Sequence, residues 1–269
     1  MRDEAHAIKE RLKLVGVEPS RDRGQNFLFD LAALESIILF GKPRPEEKVV
    51  EIGGGLGALT GELAAVSDIT IVEVEPAFCR EIESKYPNCE VVEADIRTFD
   101  LASVGDELVV FGNLPYSLST DIILYLVQYH VVVKRAVLLL QKEFSERLFA
   151  KPGTKKYGTL SVHVQLYANV YPGPIITGDC FYPEAAVESQ VIEMQFREAP
   201  AFPVSDFFIF SRIVAAAFSK RRRKILNSVL QSKSLQADIF KQALADAGIS
   251  PDIRAEDVTV EMYARLANC

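Results

Sequence analysis

The sequence predicts an α/β fold with a mostly parallel sheet, followed by a small all-helical domain. Between residues 48 and 142, short apolar runs rich in β-branched residues alternate with helical segments, a pattern typical of a parallel sheet covered on both faces. From about residue 200 onwards, apolar residues recur at helical spacing instead. The 269 residues, 49% of them apolar, suffice for both parts, and we expect domains of residues 1–200 and 201–269.

Individual elements can be predicted within this frame. Five apolar runs are expected to form strands: residues 48–53, 69–74, 90–95, 107–113 and 135–141. Helices are expected to begin between them, near Ala58, Pro76 and Ser119. Residues 158–171 and 186–197 follow without a clear intervening helix, so we predict two further strands, paired antiparallel at one edge. The C-terminal helices are predicted within residues 206–231, 235–248 and 260–268.

Charge is distributed unevenly along the chain, although the net charge is only −7. Residues 51–110 contain 13 acidic and 3 basic residues, whereas residues 134–156 contain 7 basic and 2 acidic ones, and residues 212–233 contain 7 basic and no acidic ones. Basic segments can bind a polyanion, because neutralising phosphates releases counterions. The acidic half suits a small cationic or hydroxyl-rich ligand. The alternative, that each basic run is only a solvated helix face, remains open at this point.

Composition also excludes several classes of protein. No stretch approaches the roughly 18 apolar residues that a membrane span requires. The N-terminal segment MRDEAHAIKERLK alternates charges where a signal peptide has an apolar core, so we predict a soluble cytoplasmic protein. The four cysteines, at positions 79, 89, 180 and 269, show no close pairing, and the three histidines form no cluster. Neither a disulfide framework nor a metal site is predicted.

A glycine-rich turn follows the first predicted strand. Glycines at this point let the chain turn tightly and let a ligand approach the backbone closely. The pattern Gly53-x-Gly55-x-x-Ala58 would fit a dinucleotide fingerprint, and Gly53-x-Gly55-x-Gly57 would fit an S-adenosylmethionine turn. A purely structural tight turn is the third possibility, so the turn alone does not identify the ligand.

Two acidic residues at successive strand ends favour a ligand that contains adenosine. Glu73 ends the second strand, about twenty residues after the turn, where a carboxylate can accept hydrogen bonds from both ribose hydroxyls. Asp95 ends the third strand, where it could accept a hydrogen bond from an adenine amino group. Either acid alone would more often be a helix cap or a surface charge, but the combination points to adenosine.

The tetrapeptide Asn113-Leu114-Pro115-Tyr116, directly after the fourth strand, is the most informative segment. Proline restricts Leu114 to extended conformations, so the Leu114 carbonyl and the Asn113 amide oxygen could accept both hydrogens of a planar amino group while Tyr116 stacks on its ring. Holding both N–H bonds out of the ring plane would localise the amine lone pair towards a sulfonium methyl group, without a metal or a strong base. The alternative is a proline-containing strand exit with a buried tyrosine.

These residues, together with several other stretches, resemble the ribosomal RNA adenine N6,N6-dimethyltransferase family over nearly the whole chain. The further matches are GQNFLFD at residues 24–30, QKE at residues 141–143, Arg147-Leu148, KPGTKKYGTLSV at residues 151–162, Phe218 with Arg221, Arg222 and Asn227, and Arg254-Ala255-Glu256. The branch that modifies small-subunit RNA is the more similar one, because the branch acting on large-subunit RNA usually carries isoleucine where Leu114 stands. The resemblance implies the Rossmann-like fold of S-adenosylmethionine-dependent methyltransferases.

The resemblance also implies roles for individual residues, with S-adenosylmethionine as methyl donor and no metal ion. The cofactor-binding residues would be Asn26, Leu28, Gly53, Gly55, Glu73, Asp95 and Asn113. The residues at the target adenine would be Asn113, Leu114, Pro115, Tyr116 and, as a second stacking face in the segment FYPEAAVES, Phe181. For the RNA we expect phosphate contacts from Lys151, Lys155, Lys156, Arg221, Arg222, Arg223 and Lys224.

The activity that the resemblance implies is dimethylation of N6 on two adjacent adenosines near the 3′ end of small-subunit rRNA, by a monomer that recognises the RNA or the assembled small subunit. Two departures from the family pattern, Gly54 and Ala185 in place of prolines, would each remove a restraint on φ and loosen a loop. The alternatives are methylation of large-subunit RNA or of DNA adenine, and a ribosome-assembly factor whose catalysis is dispensable.

Overall fold

A computed structural model of the protein describes residues 2–19, 25–220, 223–232 and 235–269. The chain divides into two compact units, which we call the sheet unit (Met1–Ser145 with Val170–Phe196) and the helical unit (Glu146–Asn169 with Arg197–Cys269). The α/β fold with additional C-terminal helices is confirmed. The division differs from the expected boundary at residue 200, because residues 146–169 pack with the C-terminal helices.

The helices and strands have the following bounds. The strands are β1 (Phe27–Leu28), β2 (Lys48–Ile52), β3 (Asp68–Glu73), β4 (Glu90–Glu93), β5 (Leu108–Asn113), β6 (Val133–Gln141), β7 (Ala168–Ile176), β8 (Phe181–Tyr182) and β9 (Ser189–Phe196). The helices are α1 (Arg2–Val15), α2 (Leu31–Gly41), α3 (Ala58–Ala64), α4 (Pro76–Lys85), α5 (Ser119–Gln128), α6 (Lys142–Leu148), α7 (Thr159–Tyr167), α8 (Phe207–Phe218), α9 (Ile225–Ser232), α10 (Ala237–Asp246) and α11 (Val260–Ala267).

The main sheet has seven strands in the order β4-β3-β2-β5-β6-β9-β7. Strands β2 to β6 pair in parallel, and β9 runs antiparallel to β6, so the five predicted parallel strands and an antiparallel strand after them are confirmed. The strand order reverses between β2 and β5. In open α/β sheets the ligand binds at such a switch point, outside the carboxyl ends of the strands.

The prediction of a strand from residue 158 was wrong for most of that segment. Residues 159–167 form α7, and the strand β7 begins only at Ala168. The segment is rich in β-branched residues, and α7 is buried around most of its circumference, so it lacks the apolar stripe that marks a surface helix. At its start the Gly158 N–H donates to Ser161 Oγ at 3.0 Å, which satisfies one of the helix's first amide groups.

Each unit has its own apolar core. Phe111 of β5 and Phe181 are among the largest buried side chains of the sheet unit. In the helical unit Tyr157, Phe210 and Tyr263 are fully buried, and the Tyr157 hydroxyl donates to the Val258 carbonyl at 3.0 Å. Within the described ranges, no helix combines the length and the apolar character needed to cross a membrane.

Candidate active site

A cavity of about 590 Å³ opens at the carboxyl ends of the parallel strands. The seven residues predicted to bind the cofactor all line it: Asn26, Leu28, Gly53, Gly55, Glu73, Asp95 and Asn113. Leu114, Pro115 and Tyr116 line it as well. The tertiary structure therefore brings both predicted sets of residues to one cavity within the sheet unit, with the exception of Phe181.

The glycine turn after β2 has the backbone conformation that only glycine adopts easily. The φ angles are 76° at Gly53, 52° at Gly55 and 78° at Gly57. A Cβ atom at Gly53 would have no heavy atom within 4 Å, so the backbone there borders open space in the cavity wall. An ordinary side chain at Gly53 would be strained and would occupy that space, which fits a cradle for a bound ligand.

The structure shows what surrounds the two departures from the family pattern, Gly54 and Ala185. A Cβ atom at Gly54 would lie only 2.5 Å from Ile82 Cδ1 and 2.8 Å from Ile71 Cγ2, so these side chains fill the space that a larger residue would need. The Ala185 N–H donates to the Gly178 carbonyl at 3.1 Å, a bond that proline could not make. In this conformation a proline at position 54 would meet the two isoleucines, and a proline at position 185 would lose the hydrogen bond.

The Glu73 carboxylate is buried at the end of β3 and ties the turn to the next loop. Its Oε2 accepts from the Gly55 N–H at 3.0 Å, and its Oε1 accepts from the Glu75 N–H at 2.8 Å. Burial raises the pKa of Glu73, while these backbone donors act in the opposite direction. Each carboxylate oxygen has two acceptor sites, so both retain capacity for ligand hydroxyl groups.

Asp95 is held by a residue that sequence reasoning missed. Arg97 donates from Nη2 to Asp95 Oδ2 at 2.6 Å and from Nε to Oδ1 at 3.0 Å, and it also lines the cavity. The Arg97 hydrogen bond lowers the pKa of Asp95, so this carboxylate is ionised at neutral pH. The only signal in the sequence was the i, i+2 spacing of the two charges, which is common on surfaces.

The Asn113 amide is oriented by a contact that is distant in sequence. Its Nδ2 donates to the backbone carbonyl of Asn26 at 3.1 Å. Because the amino end of the amide is engaged in this way, Oδ1 is the acceptor end, as an amine-binding site requires. The segment around β1 thus contributes to the site through its backbone as well as through its side chains.

Tyr116 is anchored by a second residue without a predicted role. The hydroxyl groups of Tyr116 and Ser189 lie 2.8 Å apart, and Ser189 is 0% exposed. Ser189 begins β9 and pairs with Gln141 at the end of β6, so sheet pairing fixes its position. Burial raises the pKa of Tyr116, which keeps the phenol protonated at neutral pH. Ser189 is the last residue of the FYPEAAVES segment, which was the available signal.

The structure does not bring Phe181 to the cavity. Strand β8 pairs antiparallel with β1, and Phe181 lies opposite Leu28. Phe181 is 2% exposed within the core of the sheet unit and is absent from the cavity lining. The role of Phe181 as a second stacking face, which the family resemblance implies, therefore stays a prediction.

Glu51 is a further acid in the cavity wall that had no predicted role. It is 1% exposed, and its Oε2 accepts from the Thr60 hydroxyl at 2.6 Å. Burial raises the pKa of Glu51 to about 8, with a smaller contribution from the charge of Glu73. The available signal was a charged residue inside an otherwise apolar strand.

The basic residues expected to bind RNA lie on the helical unit. Lys151, Lys155 and Lys156 are exposed in the segment before α7, and Lys156 forms an ion pair with Glu146. Arg223 and Lys224 are also exposed, and Lys224 pairs with Asp252 at 2.7 Å.

The expectation that the second basic run lies on a helix was wrong for its described part. Arg223 and Lys224 stand in the connection between α8 and α9, because α9 begins only at Ile225. Arg221 and Arg222 of this run lie outside the described residues, as does Gly24, the first residue of the GQNFLFD motif. Among the residues whose positions are described, no three His, Cys, Asp or Glu side chains come together as metal ligands would.

A mostly parallel α/β sheet with a glycine turn, buried acids and an Asn-Leu-Pro-Tyr segment at its carboxyl edge defines an S-adenosylmethionine-dependent methyltransferase of Rossmann-like fold. Residues 19–269 match the sequence profile of the family described as ribosomal RNA adenine dimethylase. The chain belongs to this family.

Individual relatives agree with this assignment. Ribosomal RNA small subunit methyltransferase A of Syntrophus aciditrophicus (strain SB) is 33% identical, over 97% of this chain and 97% of the relative. The protein of the same name from Erwinia tasmaniensis is 38% identical, over 91% of this chain and 90% of the relative. The crystal structure of a dimethyladenosine transferase from Plasmodium falciparum covers 89% of this chain and 95% of its own, with a TM-score of 0.76 and 23% identity, and so supports the fold.

Proposed function

We propose that this protein transfers methyl groups from S-adenosylmethionine to N6 of two adjacent adenosines near the 3′ end of small-subunit rRNA. The observation that carries the proposal is the Asn113 amide, held by Asn26 with its oxygen as acceptor, in a cavity that Leu114, Pro115 and Tyr116 also line. The small-subunit target is supported by the relatives, which are small-subunit methyltransferases by name, and this favours it over a large-subunit target.

The acidic and glycine-rich part of the cavity suits the cofactor. When bound, S-adenosylmethionine supplies an electrophilic methyl group on a positively charged sulfur. The Gly53 backbone leaves room for close approach, Glu73 has acceptor capacity for ribose hydroxyls, and Asp95 can accept from an adenine amino group. The acids Glu51 and Glu73 favour a cationic ligand when they are ionised.

The Asn113 segment suits the substrate amine. In the proposed complex Asn113 Oδ1 and the Leu114 carbonyl each accept a hydrogen bond from one N6–H group, and Tyr116 stacks on the adenine ring. The two acceptors turn the amine hydrogens away from the ring plane, which localises the nitrogen lone pair for attack. The Tyr116–Ser189 hydrogen bond limits rotation of the ring, so that stacking is pre-organised. The further role of Phe181 as a second stacking face stays a prediction.

The helical unit suits the RNA backbone. It carries 15 basic and 9 acidic residues, including the exposed Lys151 and Lys155. We propose that these lysines contact phosphates, with Lys156, Arg223 and Lys224 exchanging their present carboxylate or solvent partners for phosphate. We further propose that the protein acts in the cytoplasm, as a monomer and without a metal ion, on rRNA or on the assembled small subunit.

The test is methylation of small ribosomal subunits that lack the modification. We expect N6,N6-dimethyladenosine by mass spectrometry of the nucleosides, and primer-extension stops at two adjacent adenosines. Asn113→Ala should lower turnover at least about 100-fold and leave the fold intact, as loss of one pre-organised polar contact to the reacting group does elsewhere. Asn88→Ala, in an exposed turn of the same unit, is the matched control. Unmodified nucleosides with the wild type would refute the proposal.

The assembly-factor alternative makes a different prediction for the same variant. If catalysis were dispensable, Asn113→Ala would support small-subunit assembly as well as the wild type while forming no dimethyladenosine. Binding of the variant to small subunits, measured beside its turnover, separates the two functions.

A further inference from the structure

Helix α1 precedes the residues matched by the family profile, which begin at residue 19. The helix nevertheless packs on the sheet unit through an apolar stripe of Ile8, Leu12 and Val15, spaced as successive turns of a helix require. Leu12 is 2% exposed. The helix is therefore a structural part of the sheet unit and not a solvated appendage.

The stripe covers the apolar side of the glycine turn. Leu12 packs in one cluster with Leu56 of the turn and with Phe78 of α4. Phe27 packs against the same cluster and meets Phe78 edge to face, with the ring centroids 5.6 Å apart. Removing the helix would expose these side chains to water.

A polar contact beside the stripe also joins α1 to α4. Arg11 donates from Nε to Glu81 Oε1 of α4 at 2.8 Å, in a partly buried position. Together with the buried Leu12, this ion pair joins α1 to the sheet unit.

Among the residues of α1 whose side chains are described, Ile8 lines the cavity. It is half-buried, and it lines the same cavity as Leu56, Phe78 and the cofactor-binding residues Gly55 and Glu73. Apolar lining with a few placed polar groups is what sites for small molecules usually show. In this cavity the polar groups come from the strand ends, and part of the apolar lining comes from α1.

We propose that α1 is part of the cofactor site, with Ile8 forming an apolar wall against bound S-adenosylmethionine or S-adenosylhomocysteine. This rests on the cofactor assignment in the proposed function. The wall removes apolar ligand surface from water and shields the polar contacts of the strand ends from competing water. Ile8 then contributes to affinity for both ligands equally, because it carries no charge that could distinguish the methylated from the demethylated sulfur.

The test compares Ile8→Ala with Leu14→Ala in the full chain. Leu14 lies on the same helix but is 87% exposed, so its truncation removes the same kind of side chain without touching the cavity. By isothermal titration calorimetry we expect Ile8→Ala to weaken binding of both ligands about fivefold, which is what loss of about 1 kcal/mol of apolar contact produces. Leu14→Ala should change neither dissociation constant by as much as twofold, and Ile8→Val should restore most of the affinity.

Hydrogen exchange of the α1 amides gives a second measurement that does not depend on turnover. Saturation with S-adenosylhomocysteine should slow exchange in α1 of the wild type, and less so in Ile8→Ala. The proposal would be overturned if wild type and Ile8→Ala bound the ligands with equal affinity, or if the ligand left hydrogen exchange in α1 unchanged. A wild type that binds neither ligand would instead refute the cofactor assignment itself, so the two failures are distinguishable.

Discussion

The two units of this protein have opposite charge. The sheet unit carries 15 basic and 28 acidic residues, a net charge of −13, whereas the helical unit carries 15 basic and 9 acidic residues, a net charge of +6. The whole-chain value of −7 describes neither of them. For an RNA-modifying enzyme the value for each unit is the informative one, because phosphates and cationic ligands respond to the local potential.

The difference extends to how each unit uses its charged groups. The sheet unit buries acids in the wall of its cavity, with Glu51 and Glu73 almost inaccessible to water. The helical unit keeps the lysines that the structure describes exposed, where they can exchange a carboxylate partner for a phosphate. Burial makes the first set sensitive to pH, and exposure makes the second set sensitive to salt.

The largest expected effect concerns stability and pH in the sheet unit. Because folding raises the pKa of Glu51 from 4.5 to about 8, the folded state binds more protons than the unfolded state between these values. The free energy of unfolding therefore falls as pH rises from about 5 to 8. Glu51→Gln should remove this pH dependence. As pH rises from 5 to 8, the free energy of unfolding of the variant should therefore increase relative to that of the wild type by on the order of 3 kcal/mol. Urea denaturation followed by circular dichroism measures it.

The control for that experiment is Glu46→Gln, because Glu46 is an exposed carboxylate just before the same strand. The free energy of unfolding of this variant should follow that of the wild type at every pH. The helical unit should respond in the opposite direction. Burial lowers the pKa of His163, so the unfolded state binds more protons as pH falls through 6.5, and stability is lost on the acid side. A sheet unit that gained stability towards alkaline pH would contradict the expectation.

The next effect separates the ligands of the two units. Glu73→Ala should weaken S-adenosylmethionine binding about 100-fold, because it removes a buried acceptor and frees the Gly55 and Glu75 amides. Affinity for RNA should stay within twofold. Glu93→Ala is the matched control, since Glu93 pairs with Glu73 across β3 and β4 but is exposed. Calorimetry with the cofactor and filter binding with the RNA report the two affinities.

The converse experiment changes charge on the helical unit. The double variant Lys151→Glu, Lys155→Glu should weaken RNA binding about tenfold at physiological salt. The slope of log affinity against log salt concentration should become shallower by about the amount expected for the loss of two phosphate contacts. Affinity for S-adenosylmethionine should be unaffected. The same reversal at Arg80 and Lys85, two exposed cations of the sheet unit, is the control. If both pairs of substitutions weakened RNA binding equally, charge on the helical unit would have no special role.

The smallest effect concerns the anchor of the stacking ring. Ser189→Ala and Tyr116→Phe each break the hydroxyl contact of 2.8 Å while keeping the aromatic ring. Each should lower kcat about fivefold, by the usual contribution of one hydrogen bond, without changing cofactor affinity. Because both variants remove the same bond, the double variant should be no slower than either single one. Additive losses would show that the two hydroxyl groups act separately.

Much of the fold and of the cavity could be predicted from the sequence. Apolar β-branched runs identified β2 to β6. Residues directly after parallel strands share one edge of the sheet, so the sequence predicted that Gly53, Glu73, Asp95 and Asn113 lie close together. The helix α7 was missed because a helix buried on most sides has no apolar periodicity to detect.

The missed site residues share a different cause. Ser189 lies 73 positions from Tyr116, and the Asn26 carbonyl lies 87 positions from Asn113, so neither contact follows from a local pattern. Ile8 reaches the cavity from a helix whose own sequence indicates only an amphipathic surface. The expected role of Phe181 at the target base comes from the family motif alone, and in the structure Phe181 lies in the core, where β8 pairs with β1.

The sequence by itself determined the class of fold, the chemistry of the strand ends and the separation of acidic from basic segments, because these depend on periodicity and on residue type. Only the tertiary structure decided which atoms are oriented for use: the amide oxygen of Asn113, the anchored ring of Tyr116 and the apolar wall from α1. The physical reason is that these orientations arise from hydrogen bonds and packing between segments far apart in the chain, whose energies depend on distances that no local pattern encodes.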